Sequence, residues 1–233
     1  MNDNASALPH YQRASQLSPK DVDFRLKYGT LLTDEHPGEA VTELEEAARL
    51  DPNRSDVLNA LGAALRRSGN QDRAAEVYRQ SRDAAAAASR RSEAILATNT
   101  AIDSLKKGQV APAIESLRSA LASDPDFAEA NHYMGIAQSA EQNWQEANRS
   151  FNAAVQQSPS DPSIHYNYAV SLGKQGDWNN AAREFQTVLS LRPGQVQTMC
   201  QLADALMHAG QAELAKAQWQ HAKELGSCSA ANP

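Results

Sequence analysis

The chain has 233 residues, a formal net charge of −6 and only 6% aromatic residues. An acidic balance, with no basic stretch interleaved with aromatics, argues against nucleic-acid binding. No apolar run reaches the roughly 18 residues that a membrane span needs, and two cysteines, Cys200 and Cys228, are too few for a disulfide framework.

A 34-residue period organises the rest. Gly135, Ala147, Phe151 and Ala154 are followed by Ala169, Ala181, Phe185 and Val188, and then by Ala203, Ala215, Trp219 and Ala222. The units share a small residue at place 8, Ala at 20, a large apolar residue at 24 and a small residue at 27, and four of the six close with Pro at 32. A period of this length predicts stacked helix pairs, since one pair cannot bury its apolar face alone.

In chain order, residues 1–21 read as a partial repeat or N-terminal capping helix, with Tyr11, Ala14, Leu17 and Pro19 at the later places of a unit. Either the chain is part of a longer protein or this helix is a cap. Unit one spans 22–54 and is one residue short, at His36-Pro37-Gly38. Unit two, 55–93, has an extended second helix, because Ala84–Ala88 run on where a closing Pro is expected and 89–93 exceed the period. This lengthening shifts the angle between units two and three; a linker is the alternative, but nothing from Gln71 to Lys107 is Pro or Gly. Units three to six span 94–127, 128–161, 162–195 and 196–226, about thirteen helices in all, and 227–233 read as a flexible tail. Cys200 early in a helix and Cys228 in that tail read as two ordinary thiols, with a bridge between them as the less favoured alternative. Trp219, on a last helix with no cap after it, suggests a missing neighbour, a partner or self-association through the C-terminal end, or else a tolerated partly buried side chain.

From Tyr11 to Leu225 the sequence resembles the tetratricopeptide repeat family, most specifically at Asp124-Pro125-Asp126-Phe127-Ala128-Glu129-Ala130-Asn131-His132-Tyr133-Met134-Gly135. The resemblance implies an all-α fold, a right-handed superhelical solenoid of antiparallel helix pairs, whose concave groove is lined by first helices and receives extended peptides or partner helices. One subgroup clamps acidic C-terminal tails with Lys and Asn at places 5 and 9 and further cations beyond. Here places 5 and 9 read Asn59/Ala63, Thr98/Ile102, His132/Ile136 and Tyr166/Val170, so the clamp is missing.

Places 2, 5, 6, 9, 12 and 13 are taken to face the groove. In units three to five they include Asn99, Ile102, His132, Tyr133, Ile136, Tyr166, Asn167 and Val170, an apolar and aromatic strip with amides set into it. Residues four apart share a helix face, and such a strip suits an amphipathic helix or apolar peptide side chains. A groove filled by the protein itself, or merely solvated, is the competing expectation. Arg66, Arg67, Lys106 and Lys107 end first helices and form a candidate basic rim, although cations at helix C-termini are favoured by the dipole anyway.

No metalloprotease, nucleophile-elbow, phosphate-loop or dinucleotide motif occurs, and the six histidines are scattered without a metal-binding pair. The expectation is a non-enzymatic protein without metal or cofactor, a scaffold for a protein or peptide partner. The alternative is an architectural subunit that contacts partners through its ends or convex face. Residues 1–19 lack the basic start and apolar stretch of a secretion signal. For a soluble chain this leaves the compartment, cytoplasmic or exported, open.

Overall fold

The computed structural model describes residues 4–226 and 228, and these form twelve helices with no strand. They are α1 (Asn4–Leu17), α2 (Val22–Leu32), α3 (Pro37–Leu50), α4 (Ser55–Arg67), α5 (Gln71–Lys106) and α6 (Val110–Ser123), followed by α7 (Ala128–Ala140), α8 (Trp144–Gln157), α9 (Pro162–Lys174), α10 (Trp178–Leu191), α11 (Val196–His208) and α12 (Ala212–Leu225). Twelve rather than thirteen arises at α5. With neither Pro nor Gly inside it and an alanine run at its middle, the second helix of unit two continues into the first helix of unit three, 36 residues without a break.

Local sequence sets the helix ends. Asp21 accepts hydrogen bonds from the backbone N–H groups of Asp23 and Phe24 at 2.9 and 3.1 Å; Asp161 does the same for Ser163 at 2.8 Å, with Pro162 as the first helical residue. The turn inside the helix pairs of units two to six closes by one recurring bond, whereas in unit one His36 N–H donates to Leu32 O. Asn70 N–H donates to Leu65 O, Gln109 to Ser104, Asn143 to Gln138, Asp177 to Leu172 and Gln211 to Leu206. This six-to-one closure requires a left-handed residue just before the donor, and Gly69, Gly108, Gly176 and Gly210 supply it at φ 72 to 88°. Unit four alone among these uses a side chain there, Gln142 at φ 61°. Because a left-handed residue with a Cβ costs roughly 1–2 kcal/mol and Gln142 is exposed, Gln142→Gly is expected to raise stability by about 1 kcal/mol, read from the denaturant midpoint. A lower midpoint would show that the side chain contributes more than its backbone costs.

The chain divides into two compact units, Met1–Ser89 and Arg90–Pro233. In the first, α2, α3 and α4 pack through Leu26, Leu44, Val57 and Leu61, with Ala74 and Val77 from the start of α5, and Leu8 and Tyr11 of α1 cover one side. Arg54 ties Asp23 and Asp56 together at 2.6 and 2.9 Å. In the second, the end of α5 joins α6 and α7 through Ala94, Ala101, Leu117 and Met134, while α8 to α12 share Phe151, Phe185, Leu202 and Ala215. Place 8 must be small for a measurable reason: a Cβ on Gly135 would lie 2.8 Å from the Phe151 ring, and one on Gly62 2.8 Å from the Tyr78 ring. The large residue at place 24 fills the room that place 8 vacates.

The C-terminus corrects two expectations. Cys200 and Cys228 are not separate thiols but a disulfide, with Cα atoms 5.8 Å apart. Gly226 ends α12 in extended backbone, φ 172°, and Cys228 comes to pack against the cluster of Met199, Cys200 and Ala222 from α11 and α12. Two residues 28 apart in sequence thus meet because a helix hairpin lies between them. Cys228 is therefore anchored, while the rest of the expected flexible tail, Ser227 and 229–233, lies outside the described residues. Trp219 is half-buried against the core of α8 to α12, and its indole is a hydrogen-bond partner of the Asp204 carboxylate, whose burial raises its pKa.

Candidate binding groove

The first helices of units four to six, α7, α9 and α11, bring side chains four residues apart onto one face. On α7, His132 is 8% exposed and Ile136 half-buried; on α9, Tyr166, Asn167 and Val170 are half-buried. Ile136, Tyr166 and Val170 pack against the Phe151–Phe185 core and form a floor. Tyr133 lies beside the His132 ring, with centroids 5.2 Å apart, and Tyr166 meets Phe185 edge-on at 5.7 Å. On the end of α5, Ile102 is half-buried and Asn99 exposed. Arg66 and Arg67 are exposed on the first compact unit, where Arg67 pairs with Asp34 at 3.0 Å. Lys106 and Lys107 are exposed on the second, where Lys106 meets Asp103 at 3.5 Å.

Polar side chains stitch consecutive first helices together. Asn167 Nδ2 donates to His132 Nε2 at 2.8 Å, and the Ser139 and Ser171 hydroxyls are 2.7 Å apart. An amide nitrogen can only donate here, so the neutral His132 ring carries its proton on Nδ1 and accepts through Nε2. Burial lowers the His132 pKa, and Asp161 partly opposes this. Folded His132 therefore resists protonation that the unfolded chain accepts. As pH falls below the ordinary value of 6.5, the unfolded state takes up the proton first and stability drops; above it this contribution is flat. Urea unfolding at about pH 7.5 and about pH 5.5 is expected to show a larger acid loss for the native chain than for His132→Gln. Equal losses would mean that His132 is solvated.

Two pockets in the second unit occupy the same place in successive repeats. One, of about 360 Å³, is lined by His132, Tyr133, Ser158 and Asp161. The other, of about 500 Å³, is lined by Tyr166, Asn167, Arg192 and Gln195, each 34 residues further on. The helical half of each pocket was legible in the sequence. The loop half, Ser158, Asp161, Arg192 and Gln195, was not singled out, although carrying the 34-residue period into the loops would have found it. Beside the first pocket Arg91 is stacked 3.8 Å over Phe127 and paired with Asp124 at 2.7 Å. His165 faces the opposite way, between Glu184 Oε2 at 2.6 Å and Pro159 O at 3.0 Å, as a packed helix residue. Among the described residues no cluster of three or more His, Cys, Asp or Glu could hold a metal, and no helix is long and apolar enough to cross a membrane.

These helix hairpins, with a small residue facing a large one at fixed spacing, define a helical-repeat protein. The tetratricopeptide repeat model matches residues 30–89, 98–162 and 132–196, and the chain belongs to the tetratricopeptide repeat family. Among solved structures it is similar to "Crystal structure of MamA protein", at 17% identity over 88% of this chain and 91% of that one, with a TM-score of 0.50. It is also similar to "Crystal structure of APC/C hetero-tetramer Cut9-Hcn1", at 13% identity over 96% of this chain and 44% of that one, with a TM-score of 0.52. Both likenesses concern the all-α helical-repeat fold alone. No curated protein sequence matches the chain.

Proposed function

We propose that the protein is a non-catalytic scaffold, its six repeats meeting at residues 55, 94, 128, 162 and 196, which binds an extended peptide or a helix of a protein partner along α7, α9 and α11. The observation that carries this reading is the pair of pockets in the same register. Repeats that present equivalent recesses at equal intervals suit a chain molecule, which also repeats its side chains at equal intervals. Half-buried Tyr133 and Tyr166 offer large rings whose hydroxyls remain free to pair, the usual profile of an interface anchor, and Asn167 sets an amide beside them. No cofactor is called for. The Cys200–Cys228 disulfide favours an oxidising compartment over a reducing cytosol.

A partner identified by crosslinking in native cells provides the test. The Tyr133→Ala/Tyr166→Ala double variant is expected to lose about tenfold or more in affinity for that partner, as hot-spot truncations do. Its thermal unfolding should move far less than that of a core variant. Unchanged affinity would count against the groove.

A second reading has its own support. On α12, Leu214 and Leu225 are 57% and 54% exposed, apolar surface suited to end-on assembly. If Leu214→Glu abolishes the same capture and the tyrosine variant does not, the protein is an architectural subunit that works through its C-terminal end.

A further inference from the structure

The row of pockets has a third position, and it is closed. Moving 34 residues on from Tyr166 gives Cys200, and moving 34 on from Arg192 gives Gly226. Where the two open pockets keep space between the first helix and the loop after the second, here Cys228 is bonded to Cys200. Cys228 packs against the cluster of Met199, Cys200 and Ala222, and a Cβ on Gly226 would lie 3.3 Å from Val196 Cγ2. We propose that the Cys200–Cys228 disulfide is a redox-controlled stopper on the binding groove, and that its reduction by a dithiol opens a third, apolar pocket and lengthens the groove by one repeat. The proposal rests on the groove reading, and its physical part can be tested without any partner.

The two sulfurs differ in access. Cys200 is 4% exposed, whereas Cys228 is half-buried. A dithiol reductant of the thioredoxin class attacks through one thiolate at Cys228 Sγ. The protein S–S bond breaks, its electron pair leaves with Cys200 Sγ, and that sulfur takes up a proton. The reductant's second thiolate then attacks the mixed disulfide, releases Cys228 as a thiol and leaves as its own disulfide. One disulfide and two thiols enter, and two thiols and one disulfide leave. Once freed, Cys228 is no longer tethered over Cys200, while α11 and α12 still hold to α9 and α10 through Leu202, Leu206 and Ala215. The mouth then exposes the Cys200 thiol at the place where Tyr166 lines the pocket with Pro162 and Ser163 one repeat earlier. A ligand side chain entering there would be small and apolar.

The experiment uses the full chain with dithiothreitol as the reductant and 5,5′-dithiobis(2-nitrobenzoate) as the thiol probe. Reduction of the folded chain is expected within about tenfold of its rate in urea, because the attacked sulfur is reachable without unfolding. In Cys228→Ser, which carries Cys200 as its sole thiol, the probe should likewise react within about tenfold of its rate with the unfolded chain. Hydrogen exchange on the reduced native chain should show the amides of α11 and α12 still protected and those of Gly226 and Cys228 exchanging freely. Three results would overturn the proposal: reduction only in denaturant, a Cys200 thiol that stays protected about hundredfold or more, or loss of α11 and α12 protection together with the tail. The last would make the bond a staple of the final hairpin and no stopper. A groove that fails to bind, with Cys200 nonetheless uncovered by reduction, would sink the binding role and leave the opening intact.

Discussion

Phe151→Ala is expected to lower the unfolding free energy by about 4 kcal/mol, within the range for emptying a fully buried aromatic site. Phe151 is 1% exposed. Its ring stacks on Tyr168 at 5.2 Å, lies 6.2 Å from the His132 ring and fills the space where Gly135 has no Cβ. It therefore joins α7, α8 and α9, and a cavity there weakens an interface between repeats as well as one helix pair. In a repeat array stability is close to a sum of units and nearest-neighbour interfaces. The loss should accordingly concentrate in the amides of α7 to α9, measurable by hydrogen exchange beside denaturant unfolding. A cost under about 1 kcal/mol would show that the site collapses onto the gap.

Removing the disulfide is the second large effect. Its partners are 28 residues apart, and the chain-entropy relation for a loop of that length gives about 3.5 kcal/mol of stabilisation at 25 °C through the unfolded state. Cys200→Ala/Cys228→Ala is expected to reduce stability by about that amount, read in the full chain by urea unfolding. The effect should match that of a reductant added to the native sequence. A double variant as stable as the native chain would mean that this hairpin is already as restricted when unfolded as the bond makes it.

The two effects also separate what was legible from what was not. Phe151 was marked by its spacing from Gly135, Ala147 and Ala154, because a repeat that packs on its neighbours needs the same small-for-large exchange each time. That places 5 and 9 share one helix face was readable for the same reason, since they fall one helical turn apart. The hydrogen bond from Asn167 to His132 spans 35 residues, and neither side chain's type named the other. Helix count differed by one at α5 because Gly and Pro mark where helices stop, and between Gln71 and Lys106 there is neither.

Sequence alone determined the repeat, the helical class and the family. These follow from local propensity and a period of 34, which every unit states again. Only the tertiary structure decided that Cys228 meets Cys200 and that Trp219 is half-buried beside Asp204. Those facts depend on how far a particular turn carries the chain after a particular helix, a distance in space that spacing along the chain does not encode.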